Sequence, residues 1–125
     1  GGKAYEMAGV TPSDIDIAEF YDGYPIFPLL ALEGLGFCQR GEAGPFVQAG
    51  NTWPGGKLPM TTNGGMLGQG HTAAGGGIAV LVEAVRQLMG KAGERQVKDA
   101  KIAVTTAHGG TFMDCHVGIL GNVLP

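Results

Sequence analysis

A single histidine, His71, stands in a segment dominated by glycine. In the stretch NGGMLGQGHTAAGGG, residues 63–77, seven of the fifteen residues are glycines. Backbone without side chains lets a flat ligand or a thioester approach closely, and an imidazole beside it can act as a donor or a base. A helix beginning after this segment would add unpaired N–H groups for a developing oxyanion. The segment predicts an acid–base or oxyanion site, and the alternative is a turn in which His71 only satisfies a backbone carbonyl.

The same glycines loosely fit a dinucleotide-binding fingerprint, Gly68-x-Gly70-x-x-Ala73. That fingerprint joins a clear strand to a helix, and an acidic residue ends the next strand about 20 residues later. Here residues 60–63 hardly form a strand, and the later strand ends in TTAH, residues 105–108, without an acid. The context therefore argues against a nucleotide-binding site.

The elements that must position His71 alternate between helices and strands. The patterns predict a helix ending at Ala8, a strand at residues 15–20, a helix at residues 25–35, a long loop at residues 38–58, a helix ending at Gly90, and paired strands at residues 100–106 and 116–120. Such an order favours a layered α/β domain with helices packed on a sheet. The lone Trp53 suggests that the long loop is anchored.

The helix that ends at Gly90 has an apolar face and a polar face. Helical spacing groups five apolar residues on one face: Ile78, Leu81, Val82, Val85 and Leu88. The opposite face then carries Glu83, Arg86 and Gln87.

Composition limits the classes of function. A chain of 125 residues with 44% hydrophobic content can bury one core, which predicts one domain. The net charge of -3 argues against nucleic-acid binding, and no apolar run approaches the roughly 18 to 20 residues that span a bilayer. Two cysteines without CxxC spacing predict free thiols and no metal site. We expect a soluble, cytoplasmic protein.

Two boxes in the chain resemble the C-terminal catalytic domain of the thiolase superfamily. SDIDIAEFYDGY, residues 13–24, is similar to the family's "NEAF" box, and NGGMLGQGH, residues 63–71, is similar to its "NGG…GHP" box. The E-x-x-D-x-[FY] form of the first box and the LGFC…GE loop resemble sterol-carrier-protein-type thiolases and bacterial lipid-transfer-protein-type aldolases. The resemblance covers nearly all 125 residues. It implies a layered thiolase-like α/β fold with a mixed sheet, the C-terminal half of a duplicated fold, so that residues 1–125 form a fragment of a longer chain.

The resemblance implies roles for several residues. His71 falls on the family's oxyanion donor or base, although Thr72 replaces the proline that follows it. Tyr21 stands where the classical box has asparagine, and it resembles a catalytic tyrosine of bacterial steroid side-chain aldolases; the alternative for Tyr21 is packing on a helix. The implied substrate-binding residues lie in the second box: Asn63, Gly64, Gly65 and Gly70.

The family's acid–base cysteine is replaced in this chain, because Ala107 falls at that position. The neighbouring His108 is a candidate proton carrier, and the alternative is a hydrogen-bonded corner. We expect Cys38 and Cys115 to be buried small residues rather than nucleophiles. His116 is expected to be structural, and the carboxylates Glu19 and Asp22 are expected to form a solvated edge.

Three classes of function remain. The first is a thiolase-type acyltransferase that cuts or exchanges a carbon–carbon bond in a CoA thioester, with a lipid, steroid or aromatic acyl group. The second is a lyase that cleaves a β-hydroxyacyl-CoA by a retro-aldol reaction without a covalent cysteine. The third is a non-catalytic thiolase-like scaffold subunit. Coenzyme A is expected as a substrate or product, with no covalently bound cofactor.

The resemblance also implies partners. The missing N-terminal half is expected to complete the site, because the family builds each site from two similar halves. A homodimer, or a hetero-oligomer with a zinc-ribbon and OB-fold protein that helps to hold acyl-CoA, is expected.

Overall fold

A three-stranded mixed sheet organises the fold. The structure is a computed structural model that describes residues 1–110 and 113–123, without the side chain of Ala74. Its helices are α1 (Gly2–Ala8), α2 (Ile26–Gly34), α3 (Ala43–Gln48), α4 (Gly65–Gln69) and α5 (Gly76–Leu88), and its strands are β1 (Ile17–Phe20), β2 (Ile102–Gly109) and β3 (Asp114–Gly121). Short 3-10 turns lie at Pro12–Asp14, Ala73–Gly75 and Gly93–Arg95.

The strand order is β1-β2-β3, with β1 parallel to β2 and β2 antiparallel to β3. The predicted hairpin and mixed sheet are therefore confirmed. A single parallel bridge from Ala18 to Met60 extends the sheet beyond β1. Because β1 and β2 run in the same direction, their carboxyl ends meet at one edge of the sheet, where ligands of α/β proteins commonly bind.

Helices cover both faces of the sheet. On one face, Phe20 and Val104 pack with Leu32 of α2 in the larger apolar core. On the other face, Ile17 and Ala103 pack with residues of α5 in a smaller core. This arrangement confirms the predicted layered α/β class. No helix in the described ranges is long and apolar enough to cross a membrane.

The predicted loop at residues 38–58 was partly wrong, since it contains α3. The carboxylate of Glu33 in α2 accepts hydrogen bonds from the N–H groups of Gly41 and Ala43, and Phe46 packs on the larger core. The capping group comes from ten residues upstream of Ala43, so local sequence does not reveal it. Trp53 is 61% exposed and does not anchor the segment as expected.

The polar face of α5 is partly buried, and most of its apolar face is exposed. Glu83 and Gln87 are each 1% exposed, whereas Ile78 is 63% exposed. Glu83 accepts two hydrogen bonds from the guanidinium of Arg95. The amide of Gln87 bonds to backbone groups of the segment after the helix, including the carbonyl of Arg95. Paired in this way, polar groups can occupy a buried face, and the apolar residues turn outward: Ile78, Leu81, Val82, Val85 and Met89.

Candidate active site

The three predicted catalytic residues meet at the carboxyl edge of the sheet. Tyr21 follows directly after β1, His108 lies near the end of β2, and His71 lies between α4 and α5. The centroid of the Tyr21 ring lies 5.6 Å from that of His71 and 5.8 Å from that of His108. The parallel pairing of β1 with β2 brings two of these residues together, and the glycine-rich segment supplies the third.

Tyr21 and His71 form a direct hydrogen bond. The phenolic oxygen lies 2.6 Å from Nε2 of His71, and Nδ1 accepts the N–H of Ala73 at 2.9 Å. Because Nδ1 is an acceptor, a neutral imidazole carries its hydrogen on Nε2 and donates it to the phenolic oxygen. The phenol then keeps its own hydrogen for another acceptor. The same N–H would stabilise a phenolate if Tyr21 lost that hydrogen.

The loop that leads to His71 is held against the end of β1. Oδ1 of Asp22 accepts the N–H of Met66 at 2.6 Å, and the side chain of Asn63 accepts the N–H of Gly65 at 2.8 Å. Gly65 has φ of +60°, and a Cβ atom there would overlap the carboxylate of Asp22. Asp22 is only 7% exposed, so the expectation of a solvated edge was wrong.

The predicted substrate-binding residues all lie in this loop, in two different environments. Gly65 is buried against Asp22, and Asn63 is partly buried because its side chain closes the turn. Gly64 and Gly70 are exposed. The exposed pair leaves main chain open to a ligand, while the other two residues shape the loop.

His108 is held by ring stacking. Its ring lies 4.4 Å from that of Phe27 with an interplanar angle of 22°. Burial lowers the pKa of His108, which favours the neutral imidazole. Its Nδ1 is buried without a hydrogen-bond partner in the described part of the chain. A neutral imidazole in this position can accept a proton, or donate a hydrogen bond from the ring nitrogen that carries the hydrogen.

The cysteines differ from the expectation. Cys115 is exposed, and its sulfur lies 3.9 Å from Nε2 of His108 across the β2–β3 pair, while Cys38 is partly buried. Although the residue as a whole is exposed, desolvation of its sulfur raises the pKa of the Cys115 thiol, which disfavours the thiolate that a nucleophile needs. His116 is exposed, and its Nε2 lies 3.4 Å from the carboxylate of Asp114 on the same strand, β3, so its side chain is not part of the core.

Sequence reasoning missed a buried polar cluster behind the site. Glu19 is fully buried, although a solvated edge was expected, and its carboxyl group contacts Thr62. Thr62 in turn contacts Glu83 of α5. The alternation of Ile17, Glu19 and Tyr21 on one strand face was the available signal, because it aims Glu19 at the helix layer.

Within residues 1–110 and 113–123, no group of three or more His, Cys, Asp or Glu side chains is arranged to hold a metal ion.

Known proteins share this architecture and sequence. The sequence profile of the family described as thiolase C-terminal domain-like matches residues 1–122. An acetyl-CoA acetyltransferase from Methanothermobacter thermautotrophicus is 44% identical over 109 residues, which are 87% of this chain and 28% of the relative. A steroid side-chain-cleaving aldolase from Thermomonospora curvata is 45% identical over 86 residues, which are 69% of this chain and 22% of the relative.

A solved structure described as the Ltp2-ChsH2(DUF35) aldolase superposes with a TM-score of 0.86 at 36% identity. The match covers 97% of this chain and 30% of that one, so this chain spans less than a third of each of these proteins. The relatives thus include both an acyltransferase and an aldolase, on one shared fold. The profile match over residues 1–122, together with these identities, shows that the chain belongs to the thiolase C-terminal domain-like family.

Proposed function

We propose that the full-length protein cleaves a carbon–carbon bond in a CoA thioester, and that the reaction is a retro-aldol cleavage of a β-hydroxyacyl-CoA. The observation that carries this proposal is the hydrogen bond from Nε2 of His71 to the phenolic oxygen of Tyr21. It supports a tyrosine whose ionised form is stabilised, which is what proton removal from a substrate hydroxyl requires.

The proposed steps use one proton throughout. Tyr21, as the phenolate stabilised by His71, takes the proton of the β-hydroxyl group. The Cα–Cβ bond then breaks, and the β-carbon becomes the carbonyl carbon of a ketone or aldehyde. The electron pair of the broken bond stays with Cα and is delocalised into the thioester as an enolate. Tyr21 returns the same proton to Cα, which yields a shorter acyl-CoA. Backbone N–H groups of the glycine-rich loop would stabilise the enolate oxygen.

His108 and the loop residues have supporting roles in this proposal. His108, kept neutral by burial, would hold the ketone or hydroxyl oxygen beside Tyr21. The main chain at Gly64 and Gly70 would lie along the thioester, because both glycines are exposed and carry no side chain. Asn63 and Gly65 would keep the loop in the shape that this requires.

Thiolytic acyl transfer is the second candidate. It is favoured by the 44% identity to an acetyl-CoA acetyltransferase. Against it, Ala107 carries no ionisable group at the position of the family's acid–base cysteine, and the Cys115 thiol has a raised pKa. The nucleophile of that reaction would have to come from outside this chain.

We also propose that protein outside residues 1–125 completes the site. Residues 1–125 would be the C-terminal part of a longer chain. The exposed apolar face of α5 supports this proposal, because the N-terminal thiolase half of that chain would cover it. A homodimer, or a hetero-oligomer with a zinc-ribbon and OB-fold protein, would hold the acyl-CoA. The name of the similar solved aldolase, which joins Ltp2 to ChsH2(DUF35), supports the two-component form.

The test separates the two reactions by their need for free CoA. The purified full-length protein, with any protein that copurifies, is incubated with β-hydroxyacyl-CoA thioesters alone and with β-ketoacyl-CoA thioesters plus CoA. We expect a ketone or aldehyde and a shortened acyl-CoA in the first mixture, without added CoA, and little product from the Tyr21→Phe control. Turnover confined to the second mixture would replace the retro-aldol proposal by thiolysis. Turnover in neither would favour the scaffold alternative.

A further inference from the structure

A buried cluster of two carboxyl groups and one hydroxyl lies between β1 and α5. Oγ1 of Thr62 lies 2.6 Å from Oε1 of Glu19 and 3.0 Å from Oε1 of Glu83. The same hydroxyl oxygen accepts a hydrogen bond from the side-chain amide of Gln87 at 2.9 Å. Glu19 is 0% exposed and Glu83 is 1% exposed, so the described chain shields both carboxyl groups from water.

Counting hydrogens in this cluster favours one protonation state. A hydroxyl group has one hydrogen to donate and two lone pairs to accept with. If both carboxyl groups were ionised, Thr62 would face two acceptors with a single hydrogen. If Glu19 is instead a neutral acid, it donates to Thr62, Thr62 donates to Glu83, and Gln87 fills the remaining lone pair. Every short contact of the hydroxyl is then satisfied.

The remaining atoms of the cluster are compatible with this assignment. The backbone N–H of Thr62 donates to the same Oε1 of Glu19 at 3.2 Å, and the O–H oxygen of a neutral acid keeps a lone pair that can accept it. Oε2 of Glu19 is buried and has no hydrogen-bond partner in the described chain, which costs less for a neutral carbonyl oxygen than for a carboxylate oxygen. Glu83 is the ionised member, because Arg95 donates two hydrogen bonds to it. These are the charged groups that face Glu19 from α5 and from the Gly93–Arg95 turn, and Tyr21 follows it on the same strand face.

Thr62 links this cluster to the candidate active site. The N–H of the preceding Thr61 donates to the carbonyl of Ala18 in β1, and the Thr61 carbonyl accepts the N–H of Gly64. The segment from Thr61 to Gly65 therefore lies along β1 and then turns towards Tyr21 and His71. A shift of Thr62 would move the loop that holds the substrate in the proposed reaction.

We propose that Glu19 is a positioning residue whose neutral acid form holds Thr62, and through Thr62 the Asn63–Gly65 turn, beside Tyr21. Loss of the Glu19 proton leaves two carboxylates competing for one hydroxyl hydrogen, and the turn loosens. Burial raises the pKa of Glu19 to about 7, so this loss falls near neutral pH. The effect on turnover rests on the proposed function, while the protonation of Glu19 does not.

The protonation is tested without activity, on the full-length protein. Infrared difference spectra between pH 5.5 and 8.5 should show the carbonyl band of a protonated carboxylic acid that disappears at the higher pH. The band should be absent from Glu19→Gln and present in Glu94→Gln, which removes an exposed carboxylate elsewhere. Loss of the same band in both variants, or no band in the wild type, overturns the proposal.

The positioning is tested by amide exchange and kinetics. The protection factor of the Thr62 amide should fall at pH 8.5 in the wild type and stay constant in Glu19→Gln, whose amide side chain can donate to Thr62 at every pH. With a β-hydroxyacyl-CoA substrate, kcat should fall roughly ten- to a hundredfold over the same range in the wild type, with a smaller change in KM. Thr62→Ser should keep this behaviour, and Thr62→Val should abolish it.

The outcomes separate the two proposals. A Glu19-dependent infrared band in a protein that acts on no CoA thioester overturns the proposed function and keeps the assigned protonation. Equal Thr62 protection at both pH values, with the band present, overturns the positioning role.

Discussion

Nε2 of His71 donates to the phenolic oxygen of Tyr21 across 2.6 Å, although the two residues are 50 positions apart in the sequence. The N–H of Ala73 fixes the donor by bonding to the other ring nitrogen. The hydrogen bond joins the two side chains that the proposed reaction uses.

Tyr21→Phe is expected to lower kcat of the full-length protein by about 100- to 10,000-fold, because it removes only the atom that carries the proton. The ring contacts with Phe27 and His108 remain, so the unfolding midpoint should change little. Steady-state kinetics and thermal unfolding of the same preparation provide the measurement. An unchanged kcat would reduce Tyr21 to a packing residue.

His71→Ala should cost about 100- to 1,000-fold in kcat, as loss of one donor to a developing charge typically does. Because His71 is proposed to act through Tyr21, the double variant should be little worse than Tyr21→Phe alone. A double-mutant cycle on kcat measures this coupling. Additive losses would show that His71 acts directly on the substrate.

The candidate site residues were predictable from the sequence, whereas the buried hydrogen bonds that hold the surrounding loop in place were not. Tyr21 and His71 stand in boxes that resemble a known family, and parallel pairing then brings His108 beside them. Asp22 and Glu19 were expected in solvent, because a carboxylate in isolation is costly to bury. Their hydrogen-bond partners, Met66 and Thr62, are more than 40 residues away, so no local pattern reveals them.

The burial of polar residues on α5 has a related cause. Periodicity identifies an apolar face but does not say which neighbour it contacts. Glu83 turns inward because Arg95 reaches it from the turn after the helix. Ile78, Leu81, Val82 and Val85 then face outward, while Leu88 still packs on the smaller core.

The exposed stripe of α5 should be covered in the full-length protein. Val82 is 45% exposed, and Val82→Lys should weaken the packing that we propose against the N-terminal half. We expect faster proteolysis or an altered mass by light scattering. Met7→Lys is the matched control, since Met7 is 89% exposed on α1, outside that stripe. If the two variants behave alike, the α5 face is free in the whole protein.

Gly65 and Gly68 offer a matched test of the loop, since both lie in α4. Gly65→Ala places a methyl group against the carboxylate of Asp22 at a positive φ, so it should destabilise the loop and strongly reduce kcat. Gly68→Ala meets no atom within 4 Å and should leave kcat nearly unchanged. Kinetics together with unfolding midpoints compare the two. Equal effects would mean that the fit of Gly65 against Asp22 does not control the site.

Glu19 should make stability depend on pH in a defined window. Its pKa is raised by burial from 4.5 in the unfolded chain to about 7 in the folded protein, so the folded state binds the extra proton between these values. The resulting stabilisation is complete below pH 4.5, declines as pH rises, and is lost above about 7.

That difference in pKa corresponds to roughly 3 kcal/mol at full effect. Urea unfolding at pH 5 and pH 8 measures this contribution. The change in free energy of unfolding between the two pH values is determined for the wild type and for Glu19→Gln, and the two changes are compared. The wild type should lose more free energy of unfolding between the two pH values than Glu19→Gln does, because the amide does not ionise. Glu94→Gln, which changes an exposed carboxylate, should follow the wild type. Parallel curves for the wild type and Glu19→Gln would show that Glu19 is ionised throughout and that Thr62 is held in another way.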